Sequence, residues 1–217
     1  IASLDPDGGA KQVWTTDRGR FLKAATAPTA TELAHDFGFT DAAGKHWIKP
    51  VERIIKASDY GIVAHQNFTG GGLPTGTIQD MAPRLQALCD RLSANGGGKI
   101  TFDGLQGAIV LGSSVVIKVG VSFDGLNARP AKVQSNYLDS LRFMPHPQGQ
   151  FYDKNGVLRS VAVDGHCQAG IMFWLNIDPA VNPNTWIQQY PTVGSGTFTN
   201  MNFDGEPTGG IKAFRFA

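Results

Sequence analysis

The chain has 217 residues, enough for one large domain or for a small domain followed by a medium one. A net charge of +1 with scattered basic residues argues against a nucleic-acid partner. The lack of any apolar run near about 20 residues argues against membrane insertion. The 27 glycines, 12 prolines and low charged fraction of 17% favour short strands and turns over helices.

Residues 1–56 are predicted to form a small mixed module. Two strand-like runs flank a turn at residues 17–19, and a short helix capped by Thr29 or Thr31 follows. Another strand, a turn at residues 43–45 and a further strand complete the module. Residues 57–76 are rich in glycine and are predicted to be a linker that contains the domain boundary.

The third predicted segment, residues 77–217, opens with the one convincing helix. Asp80 is predicted to cap it, and Pro83 falls in the first turn, where a missing N–H costs little. Asn95 and Gly96 are predicted to supply the left-handed residues that end it. An apolar stripe with spacings of 4, 3 and 4 consists of Met81, Leu85, Leu88 and Leu92.

From residue 98 onward the hydrophobic pattern has period two and predicts a series of short strands. Asn155-Gly156 is a strong hairpin signal and predicts a projecting β-excursion. The chain begins with Ile1 and stops at Ala217 inside a strand-like run. We therefore expect it to be a segment of a longer protein.

An apolar residue followed by Asp-Gly occurs at residues 102–104, 123–125, 163–165 and 203–205. The aspartates are 21, 40 and 40 positions apart, close to multiples of about 20, which predicts a stacked solenoid. The apolar residue would point into a common core, and Asp-Gly would turn the chain. The alternative is that Asp-Gly is only a common turn. In a solenoid the helix stripe would cover the open apolar end of the first coil.

Three motifs carry a resemblance: LQALCD at 85–90, GGGKI at 96–100 and GVSFDG at 120–125. Together they resemble the start of the pectate-lyase-like right-handed β-helix, and ASDYGIVA at 57–64 is similar to an element that precedes it. The resemblance covers about a third of the chain. It implies a mainly β fold: the start of a right-handed parallel β-helix with one N-terminal capping α-helix, preceded by the small mixed module.

A module of another fold ahead of such a β-helix resembles the arrangement of bacteriophage tailspikes and capsule depolymerases. That resemblance implies a homotrimer in the virion tail, attached to other tail proteins through residues 1–56 and directed at host surface polysaccharide. Two alternatives remain: a secreted polysaccharide lyase, hydrolase or epimerase of the same fold, and a structural tail protein without sugar chemistry.

Candidate catalytic residues are few. Asp204 and Glu206 would face the same side of a strand about 7 Å apart, which suits an acid and base pair, and Asp164 could join from a neighbouring coil. Each of these acids is equally explained by a turn. A lyase needs a base, often Arg or Lys. Arg142, Lys212 and Arg215 lie on predicted strands, but no cluster of acids surrounds them in the sequence.

The histidines, aromatic residues and cysteines give no basis for assigning a catalytic residue, a cofactor or a metal site. The histidines lack metal-ligand spacing and are His35, His46, His65, His146 and His166. Trp174, Trp186 and Tyr190 fall in a turn-rich stretch, where Trp186 and Tyr190 could stack on saccharide or pack the loop onto the coils. Cys89 lies in the helical run and is predicted to pack as a small apolar group. A disulfide between Cys89 and Cys167 is not favoured. Any active site is expected mostly downstream of Ala217.

Overall fold

The computed structural model describes residues 10–16, 19–67, 74–125, 141–153, 155–162, 170–175, 198–199, 201–203 and 212–215. These residues are mainly β, as the composition and periodicity predict, with fifteen strands, two α-helices and one short 3₁₀ helix. The strands form one antiparallel sheet and three sheets built on parallel pairs.

The antiparallel sheet occupies the beginning of the chain and has the order β1-β2-β4-β3. Its strands are β1 (Gln12–Thr15), β2 (Gly19–Ala24), β3 (Gly38–Thr40) and β4 (His46–Ile48). The predicted strand pairs are therefore confirmed. The helix α1 (Ala30–Ala34) lies between β2 and β3 and is capped by Thr29, whose hydroxyl accepts from the Glu32 N–H while the Glu32 carboxylate accepts from the Thr29 N–H.

The strand β5 (Ile54–Lys56) falls within the predicted N-terminal module but pairs in parallel with β6 (Gly98–Thr101). A 3₁₀ helix (Ala57–Tyr60) follows within the predicted linker, and His65 forms an isolated bridge with Ala108. This part of the chain therefore packs against the strands that come later in the sequence.

The predicted amphipathic helix is present as α2 (Ala82–Ala94), and its four stripe residues are all buried. Met81 occupies the N-cap position without a side-chain cap, one residue later than predicted. Asp80 nevertheless accepts a hydrogen bond from the first helical N–H, that of Ala82, at 2.8 Å. Its same oxygen accepts from Gly112 N at 2.6 Å, which ties the start of the helix to strand β7 (Ala108–Ser113).

The end of α2 differs in detail from the prediction. Asn95 keeps a negative φ of −104°, so its predicted left-handed conformation is wrong; the positive φ values belong to Gly96 and Gly97. Gly97 N donates to Leu92 O at 2.8 Å and Gly96 N to Ser93 O at 3.1 Å. These two bonds form a Schellman motif, which needs the left-handed residue immediately after the cap.

Beyond α2 the strands pair in parallel in the order in which they occur along the chain. The remaining strands are β8 (Val115–Ile117), β9 (Val121–Asp124), β10 (Leu141–Tyr152), β11 (Leu158–Ser160), β12 (Ile171–Leu175), β13 (Phe198–Thr199), β14 (Met201–Phe203) and β15 (Lys212–Arg215). One sheet runs β5-β6-β9-β13, a second contains β7-β10-β14, and a third runs β8-β12-β15. The predicted hairpin is confirmed: β10 and β11 are antiparallel, and Gly156 in their turn has a φ of +74°.

The predicted period of about 20 residues does not describe this pairing. Ile100 pairs with Phe123, 23 positions later, whereas Ile109 pairs with Phe143 and Val115 with Phe173, 34 and 58 positions later. Only the short strands must align, so connections of different length are tolerated between them. Phe102-Asp103-Gly104 and Phe123-Asp124-Gly125 are thus not equivalent, and Asp164 and Asp204 lie outside the described residues.

The core lies between the parallel sheets and continues under α2. Four phenylalanines form its centre, one directly after β6 and the others on β9, β10 and β12: Phe102, Phe123, Phe143 and Phe173. Their ring centroids are 5.0–6.2 Å apart, with mostly edge-to-face packing. The α2 stripe belongs to the same buried cluster, so the helix closes one side of this aromatic core.

Candidate functional site

A cleft of about 440 Å³ lies where the antiparallel sheet meets the edge strand β5. Its lining comes from β1, β2, the segment after β4, β5, the 3₁₀ helix and the end of β6. The volume falls within the roughly 300–1,000 Å³ typical of small-molecule sites. We take this cleft as the candidate functional site.

One wall presents an exposed aromatic side chain beside a cation. Trp14 and Arg20 are cross-strand partners in β1 and β2, so both lie on the same face of the antiparallel sheet. Trp14 is 64% exposed, which is unusual for a side chain of this size. Arg20 forms an ion pair with Glu52, whose carboxylate also lines the cleft.

The deepest cation of the cleft is Lys49, which is only 3% exposed. Its Nζ lies 4.4 Å from the centroid of the Phe21 ring and 5.1 Å from that of Tyr60, so two aromatic faces stabilise the buried ammonium. The Tyr60 hydroxyl donates to Pro50 O. Burial raises the pKa of Tyr60 to about 12, partly offset by the positive charge of Arg91, so this phenol is neutral at physiological pH.

The opposite wall is the outer face of β5. Ile54 and Lys56 alternate with the buried Ile55, as expected for a strand, and Ile54 is 63% exposed. Lys56 pairs across the sheet with Thr101, whose hydroxyl donates to Ile55 O at 3.3 Å. The Lys56 Nζ lies 4.0 Å from a carboxylate oxygen of Asp103, at the outer limit of an ion pair.

Two arginines of α2 hold the walls of the cleft together. Arg84 binds the Asp36 carboxylate and Tyr60 O, each at 3.2 Å. Arg91 binds the Glu32 carboxylate at 3.2 Å and Lys49 O at 2.6 Å. Burial lowers the pKa of Arg91, although the charge of Glu32 opposes that shift. The backbone that carries Lys49 is therefore fixed to the helix, which preorganises the site.

The cleft has the character of a binding site. Its side chains include two aromatic rings, two isoleucines, three cations and two carboxylates, and the Glu52 carboxylate is held by Arg20. Such a mixture can contact an apolar ring face, accept hydrogen bonds from hydroxyls and neutralise a negative charge.

Seven of the sequence-predicted candidate residues lie outside the described residues: Asp164, His166, Cys167, Trp186, Tyr190, Asp204 and Glu206. Arg142 lies on β10, and Lys212 and Arg215 lie on β15, where they pair with Ile171 and Trp174.

Trp174 belongs to the stretch predicted either to project or to pack onto the rest of the fold, and the structure shows that this residue packs. It is 1% exposed on β12 and packs in a buried cluster with Val116 and Ile171. Residues 171 to 174 are all buried, so both faces of β12 are covered by neighbouring parts of the fold.

The four described histidines are scattered, and Cys89 is buried. His46 Nδ1 is 2.9 Å from the Thr40 hydroxyl, and His146 Nδ1 accepts from Gln148 N. Burial and the charge of Arg84 lower the pKa of His35. Among the residues that the structure describes, no three His, Cys, Asp or Glu side chains are grouped to hold a metal ion. Cys89 is a free thiol that packs as an apolar group, as predicted, and burial raises its pKa.

Sequence reasoning missed the cleft because its lining is spread from Trp14 to Thr101 over six short segments. No motif joins them. The only local signals are the apolar and cationic outer positions of β5 and an aromatic residue near a tight turn.

No protein-family model matches this chain, and no curated protein and no solved structure matches it. None of the helices in the described ranges has the length and hydropathy needed to cross a membrane. The pairing of the strands and the cleft are therefore the two features from which a function can be argued.

Proposed function

We propose that this chain is the N-terminal part of a bacteriophage tailspike, in which a right-handed parallel β-helix presents a surface for host polysaccharide. The observation that carries the proposal is the order of strand pairing. The strands β6, β7 and β8 are followed by β9, β10 and β12, and each pairs in parallel with its counterpart in the earlier set. The strands β13, β14 and β15 extend the three sheets in the same order.

Such pairing is what a chain makes when it winds three strands per coil and stacks each coil on the last. Parallel strands joined by a crossover in one sheet are right-handed in about 98% of cases, which favours a right-handed winding. The helix α2 enters just before the first coil, and its buried stripe supports a role as the cap of the open end.

The antiparallel sheet β1–β4 is the candidate for virion attachment. Among the described strands it shares no β-pairing with the parallel sheets and is joined to them through side chains of α2. A long stack of parallel coils offers an extended side for a repeating polymer. We expect a homotrimer in the virion tail, with any depolymerase active site mostly downstream of Ala217.

The first test is the mass of the chain in solution by light scattering after size exclusion. The proposal predicts a mass near three times 23.2 kDa. A monomer over a wide concentration range would contradict the trimer and favour a secreted protein of the same fold.

The second test is binding of the chain, and of the complete protein that contains it, to purified host capsule and lipopolysaccharide. Binding by the complete protein, with any cleavage confined to it, is the expected result. A trimer that copurifies with virions but binds neither polymer would point to a structural tail protein.

A further inference from the structure

We propose that the cleft between β1, β2 and β5 binds an acidic sugar residue, with the ring stacked on Trp14 and its carboxylate directed at Lys56. This site is separate from any active site on later coils. The inference does not rest on the tailspike proposal, because every residue it uses belongs to the described beginning of the chain.

The exposed aromatic ring of Trp14 lines the cleft. A Trp side chain that is 64% exposed leaves most of its apolar surface in water, and Trp14 does so at the border of a concave site. Its flat face suits the C–H face of a pyranose, and the neighbouring Ile54 extends the apolar surface.

The charge of the lining sets the kind of sugar. Arg20, Lys49 and Lys56 face Glu52 and Asp59, which leaves one net positive charge. Asp103 reaches Lys56 only at 4.0 Å with both side chains about half exposed, so it competes weakly with a bound carboxylate. One carboxylate per bound sugar residue matches the net positive charge of the lining.

The two carboxylates of the lining argue for a sugar over an acidic peptide. Sugar hydroxyls can donate to Glu52 and Asp59, and the Thr101 hydroxyl offers a further polar contact. A peptide with a dense run of carboxylates would bring like charges next to both acids, which costs affinity.

Titration calorimetry with three probes of equal length tests the assignment: oligogalacturonate, a neutral malto-oligosaccharide and oligoglutamate. We expect oligogalacturonate to bind at least about tenfold more tightly than either of the others, which is about 1.4 kcal/mol. Equal binding of the neutral sugar would overturn the role of the charge. Stronger binding of oligoglutamate would make the cleft a peptide site, and no binding of any probe would reject it.

Matched variants connect the binding to the cleft. Lys56→Met is compared with Lys118→Met, because the two lysine side chains are 44% and 41% exposed and each lies near one carboxylate, at 4.0 and 3.8 Å. Only Lys56→Met should reduce the preference for the acidic sugar. Asp103→Asn should strengthen oligogalacturonate binding, since it removes the carboxylate that competes with the ligand for Lys56.

The aromatic platform is tested in the same way. Trp14→Ala should weaken binding of oligogalacturonate about tenfold or more, whereas Leu33→Ala, at another exposed apolar position, should leave it unchanged. Both residues are exposed, so both variants should fold, and circular dichroism checks this. Unchanged binding by Trp14→Ala would contradict the stacking geometry.

Discussion

Replacing Gly97 by alanine should lower the free energy of unfolding more than replacing Gly96 by alanine, because Gly97 lies where α2 connects to the parallel sheet. Gly97 has a φ of +89°, and a Cβ there would lie 2.6 Å from Gly120 O and 3.0 Å from Gly120 C. Both atoms are backbone and cannot rotate away. Gly120 O also accepts the hydrogen bond from Gly98 N at 2.9 Å that brings β6 beside β9, so relief of the clash disturbs that pairing.

Gly96 is the matched control. Its φ is +86°, and a Cβ there would meet nothing within 4 Å. Gly96→Ala therefore reports the backbone strain of a left-handed alanine alone, about 1–2 kcal/mol. Gly97→Ala adds an overpacking cost of about 1–3 kcal/mol to the same strain. We expect the two free energies of unfolding to differ by that second amount.

Urea unfolding followed by tryptophan fluorescence and circular dichroism measures both variants against the parent chain. The m-values should stay the same, so that the midpoints report stability. Two variants of equal stability, within about 0.5 kcal/mol, would refute the close approach of residues 97 and 120, since differences of that size lie near the error of extrapolation.

Three further predictions concern buried charges and the thiol. The hydrogen bonds and ion pair of Asp153, which include Arg159, outweigh burial and lower its pKa; Asp153→Asn should cost about 1–2 kcal/mol at pH 7. Since the folded-state pKa is lowered, that difference should persist above about pH 3.9 and vanish as the pH falls through the folded pKa, as urea unfolding at each pH will show. Glu32→Gln should cost about 1–3 kcal/mol, because it leaves the mostly buried Arg91 without its counter-ion, while Glu52→Gln, in a more exposed pair, should cost less than about 1 kcal/mol. In a Cys167→Ser background Cys89 should react with a thiol reagent only after unfolding; rapid reaction of the folded chain would contradict its burial.

Features with a local cause could be read from the sequence. The α2 stripe, the Thr29 cap and the turn at Asn155-Gly156 each depend on residues within a few positions of one another. The mainly β composition was equally evident. The identity of the left-handed residues that end α2 was harder to predict, because either Asn95 or the glycines after it can adopt that conformation.

Features that depend on distant contacts could not be read in this way. The Asp-Gly repeat suggested a fixed period, yet the register of β6 and β9 aligns Phe123 with Ile100 and not with Phe102. Trp174 and Trp14 both sit in strand-like runs, and only the tertiary packing buries one and exposes the other. The cleft likewise depends on how the β5 edge meets another sheet, which no local pattern encodes.

The pairing order of the parallel sheets has a consequence for how the chain acquires its structure. Seven of the parallel strands pair with a partner that precedes them in the sequence: β6, β9, β10, β12, β13, β14 and β15. In a chain made from its N-terminus, the partner of each of these strands is already synthesised. The partners are 23 to 75 positions apart, as for Gly98 with Val121 and Phe123 with Phe198, and closing such long loops is slow. The helix α2 and the pair β6–β9 involve the shortest loops, which makes them the natural starting point for growth. Later strands would then pair one after another with the sheet edges that have already formed.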